Sequence, residues 1–237
     1  MAKRPVSGSK KPRTKLMRVD ERRSMALPEF EKLKAWAAAT LASVDGIGRV
    51  PPDARALMDL DTTRAVRNAV IVLVLLGTAA RRFELCSFRC GDFRESFGKH
   101  RCYFEGGKGN VEAEITVSEE TWDVVQRWLV FKRDMLGEST EPDAPLFCGQ
   151  GGGHLGLAQL HNIWVAVRKE VGIAPRKGIH VSVHMTRHTA GFLYLRATNS
   201  LSATAEFMRH KSQEITERFY KHVLDEDVAA GLKKARL

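Results

Sequence analysis

The chain has 237 residues, with 38 Lys or Arg against 28 Asp or Glu and a formal net charge of +10, a balance that points to a polyanionic partner. Apolar residues make up 43% of the chain, which supplies a core and excludes wholesale disorder. The longest apolar run, Ala69 to Ala80, is too short to span a bilayer, and Ala2 to Arg23 lacks the apolar centre of a secretory signal, so a cytoplasmic protein without membrane association is expected.

In chain order, residues 1–25 read first as a flexible basic arm. Residues 1–23 hold nine Lys or Arg against two acids, interrupted by Pro5, Ser7, Gly8 and Pro12, too little apolar surface to order themselves. Such an arm can neutralise phosphates. From Ala26, Leu27, Phe30, Leu33, Trp36 and Ala37 recur at helical steps. Gly46, Gly48, Pro51 and Pro52 mark a loop, and a second helix, apolar nearly all round in its later half, covers about 62–78. A short helix is predicted from near Arg82 to before Gly91.

A hairpin follows. Val111, Ala113, Ile115 and Val117 alternate with Glu112, Glu114 and Thr116, the period of a half-buried strand. Cys102 and Phe104 suggest its partner, joined through Gly106-Gly107-Lys108-Gly109-Asn110. Ser118 caps a helix to about Met135, Gly149 to Gly153 is a loop, and further helices are predicted near 157–171, 186–197 and 201–209, with a last one carrying Tyr220. The fold class is mainly α with one small antiparallel β-sheet (α+β). Cys86, Cys90, Cys102 and Cys148 lack a zinc spacing and read as reduced core thiols.

Three segments carry chemistry-bearing residues. They are Thr78-Ala79-Ala80-Arg81-Arg82-Phe83-Glu84-Leu85, His184-Met185-Thr186-Arg187-His188-Thr189, and Met208-Arg209-His210 followed by Thr216 and Tyr220. Two arginines can hold the non-bridging oxygens of a phosphodiester with charge-assisted, bidentate hydrogen bonds. A Tyr hydroxyl can attack phosphorus once deprotonated, and His184 and His210 can exchange hydrogen bonds with it near neutral pH. Lys108, flanked by glycines, can reach a departing oxygen as general acid if nearby arginines lower its pKa. Tyr103 and Tyr194 fit strand and helix interiors and are poor rival nucleophiles.

The ordered set resembles the tyrosine recombinases of the phage-integrase family, which share their chemistry with type IB topoisomerases. The family's Thr-Gly-x-Arg-x-x-Glu-Leu segment matches Thr78 to Leu85 and puts the first catalytic arginine on Arg81. Its hairpin lysine matches Lys108, its His-x-x-Arg-His element matches His184, Arg187 and His188, its Gly-His element matches Arg209-His210, and its nucleophile matches Tyr220. Glu84 then pairs with an arginine or orients a histidine, and His188 buttresses a helix start.

The resemblance covers about residues 26–223 and implies the catalytic-domain fold, a helical bundle with a small sheet, in a minimal member without a full N-terminal core-binding domain. It implies a site-specific recombinase that cleaves and rejoins double-stranded DNA through a 3′-phosphotyrosyl bond, with no cofactor and no metal. It further implies a homotetramer on DNA, an accessory DNA-bending protein, a nucleoid or mobile-element setting, and residues 224–237 as a segment exchanged between subunits. A topoisomerase-like nicking enzyme and a non-catalytic DNA-binding regulator of the same fold are the other readings. Ala79 and Arg209 stand where the family has glycine. His210 and Tyr220 are ten residues apart where nine is usual, so a loop or bulge is expected between them.

Overall fold

A computed structural model describes residues 24–44, 60–106, 112–175 and 181–217. Lys108, Tyr220, the expected arm over 1–23, the Gly46–Pro52 loop and the segment 224–237 lie outside the described residues.

Helix α1 (Leu27–Ala42) begins with Pro28, whose fixed φ suits a first helical turn, and with Glu29, which accepts a hydrogen bond from the Ala26 amide at 2.9 Å. It buries Leu33, Ala37 and Leu41, the stripe read from sequence. Packing starts at Met25, which is buried and donates its amide to Thr189 Oγ1 at 2.9 Å.

Helix α2 (Leu60–Thr78) is the centre of the bundle. Val66, Ala69, Val70, Ile71, Val72, Val74 and Leu75 are all buried, as expected of a helix apolar nearly all round. It packs against α1, α4 (Glu119–Leu136) and α6 (His184–Thr198). Near its end the approach to α4 is too close for a side chain: a Cβ on Gly77 would lie 2.1 Å from Thr121 Oγ1. Helix α3 (Arg82–Ser87) follows after three residues and packs on α5 (Leu157–Val171).

The sheet has three antiparallel strands in the order β1 (Phe93–Ser96), β2 (Lys99–Phe104), β3 (Ala113–Thr116). Pairing Phe93 with Cys102 and Cys102 with Ile115 places those three on one buried face. The first strand was not predicted: only Phe93 of its four residues is buried, so no apolar alternation marks it. Phe88, Phe93 and Phe104 meet edge to face beneath the sheet, with centroids 5.3 and 5.4 Å apart.

Ser118 caps α4 as expected, its hydroxyl accepting from the Thr121 amide, and Gly137 ends that helix in the left-handed conformation. Trp128 of α4 and Trp164 of α5 are buried and donate their indole N–H groups to Leu146 O and Val181 O, each at 2.8 Å. The Gly149–Gly153 turn is closed by a bridge between Cys148 and His154, and His154 Nδ1 lies 3.2 Å from Cys86 O, tying the turn to α3. All four cysteines are free thiols, with burial raising Cys86 and Cys148 to about 11. Helix α7 (Leu201–Phe207) ends two residues earlier than predicted. Residues 213–217 then form the start of another helix.

Candidate active site

The first segment sits at the carboxyl end of α2. Thr78 closes the helix, Ala79 takes a positive φ of 48°, and Arg81 is the extended residue that precedes α3. That placement fixes the register between the paired arginines. Arg81 turns inward while Arg82 is exposed. Arg81 donates its amide to Glu84 Oε2 and its Nη1 to Glu84 Oε1, both at 2.6 Å, so one buried carboxylate caps the helix and orients the guanidinium. The Arg81 side chain stays 25% exposed.

The second segment starts α6. Arg187 is buried, and its Nη1 and Nη2 donate to the backbone oxygens of Ala79 and Met208. It therefore stitches the end of α2 to the end of α7. His184, on the first turn, keeps an exposed surface, and its ring meets that of His188 edge-on at 4.7 Å. Partial desolvation and the positive Arg187, Arg81 and Arg82 hold the His184 pKa below its ordinary value.

The third segment ends α7. The Arg209 amide bonds Glu206 O and the His210 amide bonds Ala205 O, both at 2.9 Å, a Schellman stop with Arg209 at a positive φ of 51°. The stop turns His210 toward the arginines, and His210 Nδ1 pairs with Thr216 Oγ1 at 2.6 Å. Burial, Arg187, Arg81 and Arg209 push the His210 pKa down to about 4, so the ring is neutral at physiological pH. A turn through Lys211 and Ser212 precedes the helical residues 213–217.

Arg81 and Glu84 are thus brought together with Arg187, Arg209 and His210, which lie more than a hundred residues further along the chain. Sequence reasoning treated Arg209 only as a departure from glycine. The structure makes it a member of the cluster, donating to Glu84 Oε2 at 3.0 Å with its side chain 6% exposed. Thr216 was noted without a role, and its bond to His210 supplies one. For Glu84, burial alone would raise the pKa, but the Arg209 guanidinium and then Arg81 outweigh it and hold the carboxyl below its usual value. A cavity of about 610 Å³ opens beside the cluster, lined by Arg81, Arg82, Phe83, His161 and His184 among others.

The fold is a helical bundle with a small antiparallel sheet, and the chain belongs to the phage integrase family, whose model matches residues 51–227. Among curated proteins it is 24% identical over 173 residues to tyrosine recombinase XerA of Pyrococcus horikoshii, covering 73% of this chain and 56% of that one. It is 29% identical over 159 residues to tyrosine recombinase XerC of Mycobacterium tuberculosis, covering 67% and 50%. The chain spans about half the length of these relatives.

Among solved structures, XerA recombinase superimposes with a TM-score of 0.63 at 20% identity, over 90% of this chain and 65% of that one. The XerH site-specific recombinase bound to its difH substrate gives 0.61 at 21%, over 87% and 52%. A lambda integrase dimer bound to a COC' core site gives 0.54 at 17%, over 84% and 59%. These likenesses show that the fold is that of the tyrosine recombinases.

Proposed function

We propose that this chain is a site-specific recombinase that cleaves and rejoins double-stranded DNA through a phosphotyrosyl bond on Tyr220. The observation that carries the reading is the convergence of Arg81, Arg187 and His210 around the end of α2. A phosphodiester placed on the exposed side of Arg81 meets a guanidinium whose orientation Glu84 already fixes. Arg187 has five N–H donors, of which two carbonyls engage its Nη1 and Nη2, and it supports the same charge from beneath. Such preorganised donors aimed at developing negative charge are each worth roughly 100- to 1000-fold in rate.

Neutral His210 can accept a proton or hydrogen-bond a non-bridging oxygen, and His184 serves beside it. Tyr220 attacks phosphorus as its oxygen loses its proton, the bond to the 5′ oxygen breaks, and Lys108 supplies the proton that oxygen takes up. Attack of a 5′ hydroxyl on the phosphotyrosine reverses the sequence. The net charge of +10 supplies attraction for the duplex. A neighbour solved as a dimer on its core site and another solved on its DNA substrate support assembly of more than one copy on the site.

The test is a nicked suicide duplex containing the natural site, presented to wild type and to Tyr220→Phe. A covalent protein–DNA adduct is expected from wild type and none from Tyr220→Phe. Absence of the adduct from wild type would leave only a DNA-binding role, and persistence in Tyr220→Phe would move the nucleophile elsewhere.

A further inference from the structure

Arg209 occupies a position where its residue type is costly. It is the second residue after the end of α7, following Met208 in a Schellman stop, at φ 51°, where glycine is favoured and a side chain costs about 1–2 kcal/mol. Its guanidinium is also withdrawn from water, with the side chain 6% exposed, which adds a desolvation cost. A surface arginine at this turn would avoid the second cost, so the buried position calls for an account.

The contacts supply it. Arg209 Nη1 donates to Thr78 O and Phe207 O, and Nη2 to Ala79 O and Glu84 Oε2, each at 3.0 Å. Thr78 and Ala79 carry terminal carbonyls of α2, which lack helical partners and favour a cation. The guanidinium lies 3.6 Å over the ring of Phe104, the last residue of β2. Arg81 is held twice through the same residue. Its Nη1 binds the carboxylate that Arg209 pins, and its Nη2 donates to Arg209 O at 3.3 Å. One side chain thereby joins the arginine of the first segment, the histidine-bearing turn of the third and the base of the hairpin.

We infer that Arg209 is a positioning residue, which sets the orientation of the Arg81–Glu84 pair and clamps it to the β2 strand while making no contact with DNA itself. The inference rests on the recombinase reading above. A fork is required: an ammonium, with three donors, cannot donate to three carbonyls and one carboxylate while lying flat over a ring.

Full-length Arg209→Gly and Arg209→Lys proteins are compared with wild type on the suicide duplex, measuring the dissociation constant for uncleaved DNA and the single-turnover cleavage rate. Arg209→Gly suits the left-handed turn, so it is expected to fold and to bind DNA within about twofold of wild type. Cleavage is expected to fall by about tenfold to 100-fold, with Arg209→Lys recovering only part of it. A pH–rate profile adds a readout that simple loss of packing does not move. His210 faces Arg81, Arg187, Arg209 and the Thr216 hydroxyl, so removing the Arg209 charge is expected to shift the acid limb to higher pH.

Cleavage by Arg209→Gly within about twofold of wild type, on an unmoved pH profile, overturns the inference. If Arg209→Gly does not fold, full activity in Arg209→Lys overturns it instead. No adduct from wild type defeats the recombinase reading itself, whereas an adduct from wild type undiminished in both variants defeats only the role of Arg209.

Discussion

His210 shows how one residue acquires its chemistry from neighbours remote in sequence. An exposed histidine ionises near 6.5, whereas here burial and three guanidiniums hold it down to about 4. The fold therefore favours the neutral ring. Its contribution to stability is complete above about pH 6.5 and declines as pH falls toward 4, reaching roughly 3 kcal/mol lost once the ring is charged. Urea unfolding of wild type is expected to show this decline, and His210→Gln, which has no proton to gain there, is expected to show a smaller one. An identical pH dependence in the two proteins would mean that His210 is not the group responsible. The residue types were legible in the sequence, as was their order. The depressed pKa was not, because it depends on Arg81 and Arg187 arriving from other elements.

At the scale of elements, a left-handed stop written without glycine leaves no local signal. Helix α7 stops at Phe207 because Arg209 adopts a left-handed backbone, and a stop written with arginine carries no glycine signal. The β1–β2 turn has the same left-handed backbone, where Phe97 at φ 52° precedes Gly98 at φ 66°. Two positive φ values make a type I′ turn, for which Asn-Gly is the favoured pair. Phe97 is 97% exposed, so its ring gains little from packing. Phe97→Asn is expected to stabilise the protein by about 1 kcal/mol in chemical denaturation. A loss of stability would mean that the ring makes a contact outside the described residues. The helices with clear periodicity were read well: α5 spans Leu157–Val171, the predicted 157–171, and α1 buries the stripe foreseen for it.

For the whole molecule, the charge distribution makes a separate prediction. Nine basic residues lie in the first 23, ahead of the first described residue, Ser24. If that arm neutralises phosphates, deleting residues 1–23 is expected to lower the slope of log affinity against log salt by about 3 or more, alongside weaker DNA binding. An unchanged slope from the truncated protein would show that the arm does not meet the duplex.

The sequence by itself determined the fold class, most of the helices and the strand paired with β2, since periodicity is a local property of the chain, and it carries Arg81, Lys108, His184, Arg187, His210 and Tyr220 in the order expected of the family. The tertiary structure decided the rest. It gave Thr216 a partner and turned Arg209 from a departure into a buried clamp on Glu84. Those outcomes follow from long-range packing, which brings the end of α2, the start of α6 and the end of α7 to one place, and no spacing within a single segment encodes that meeting.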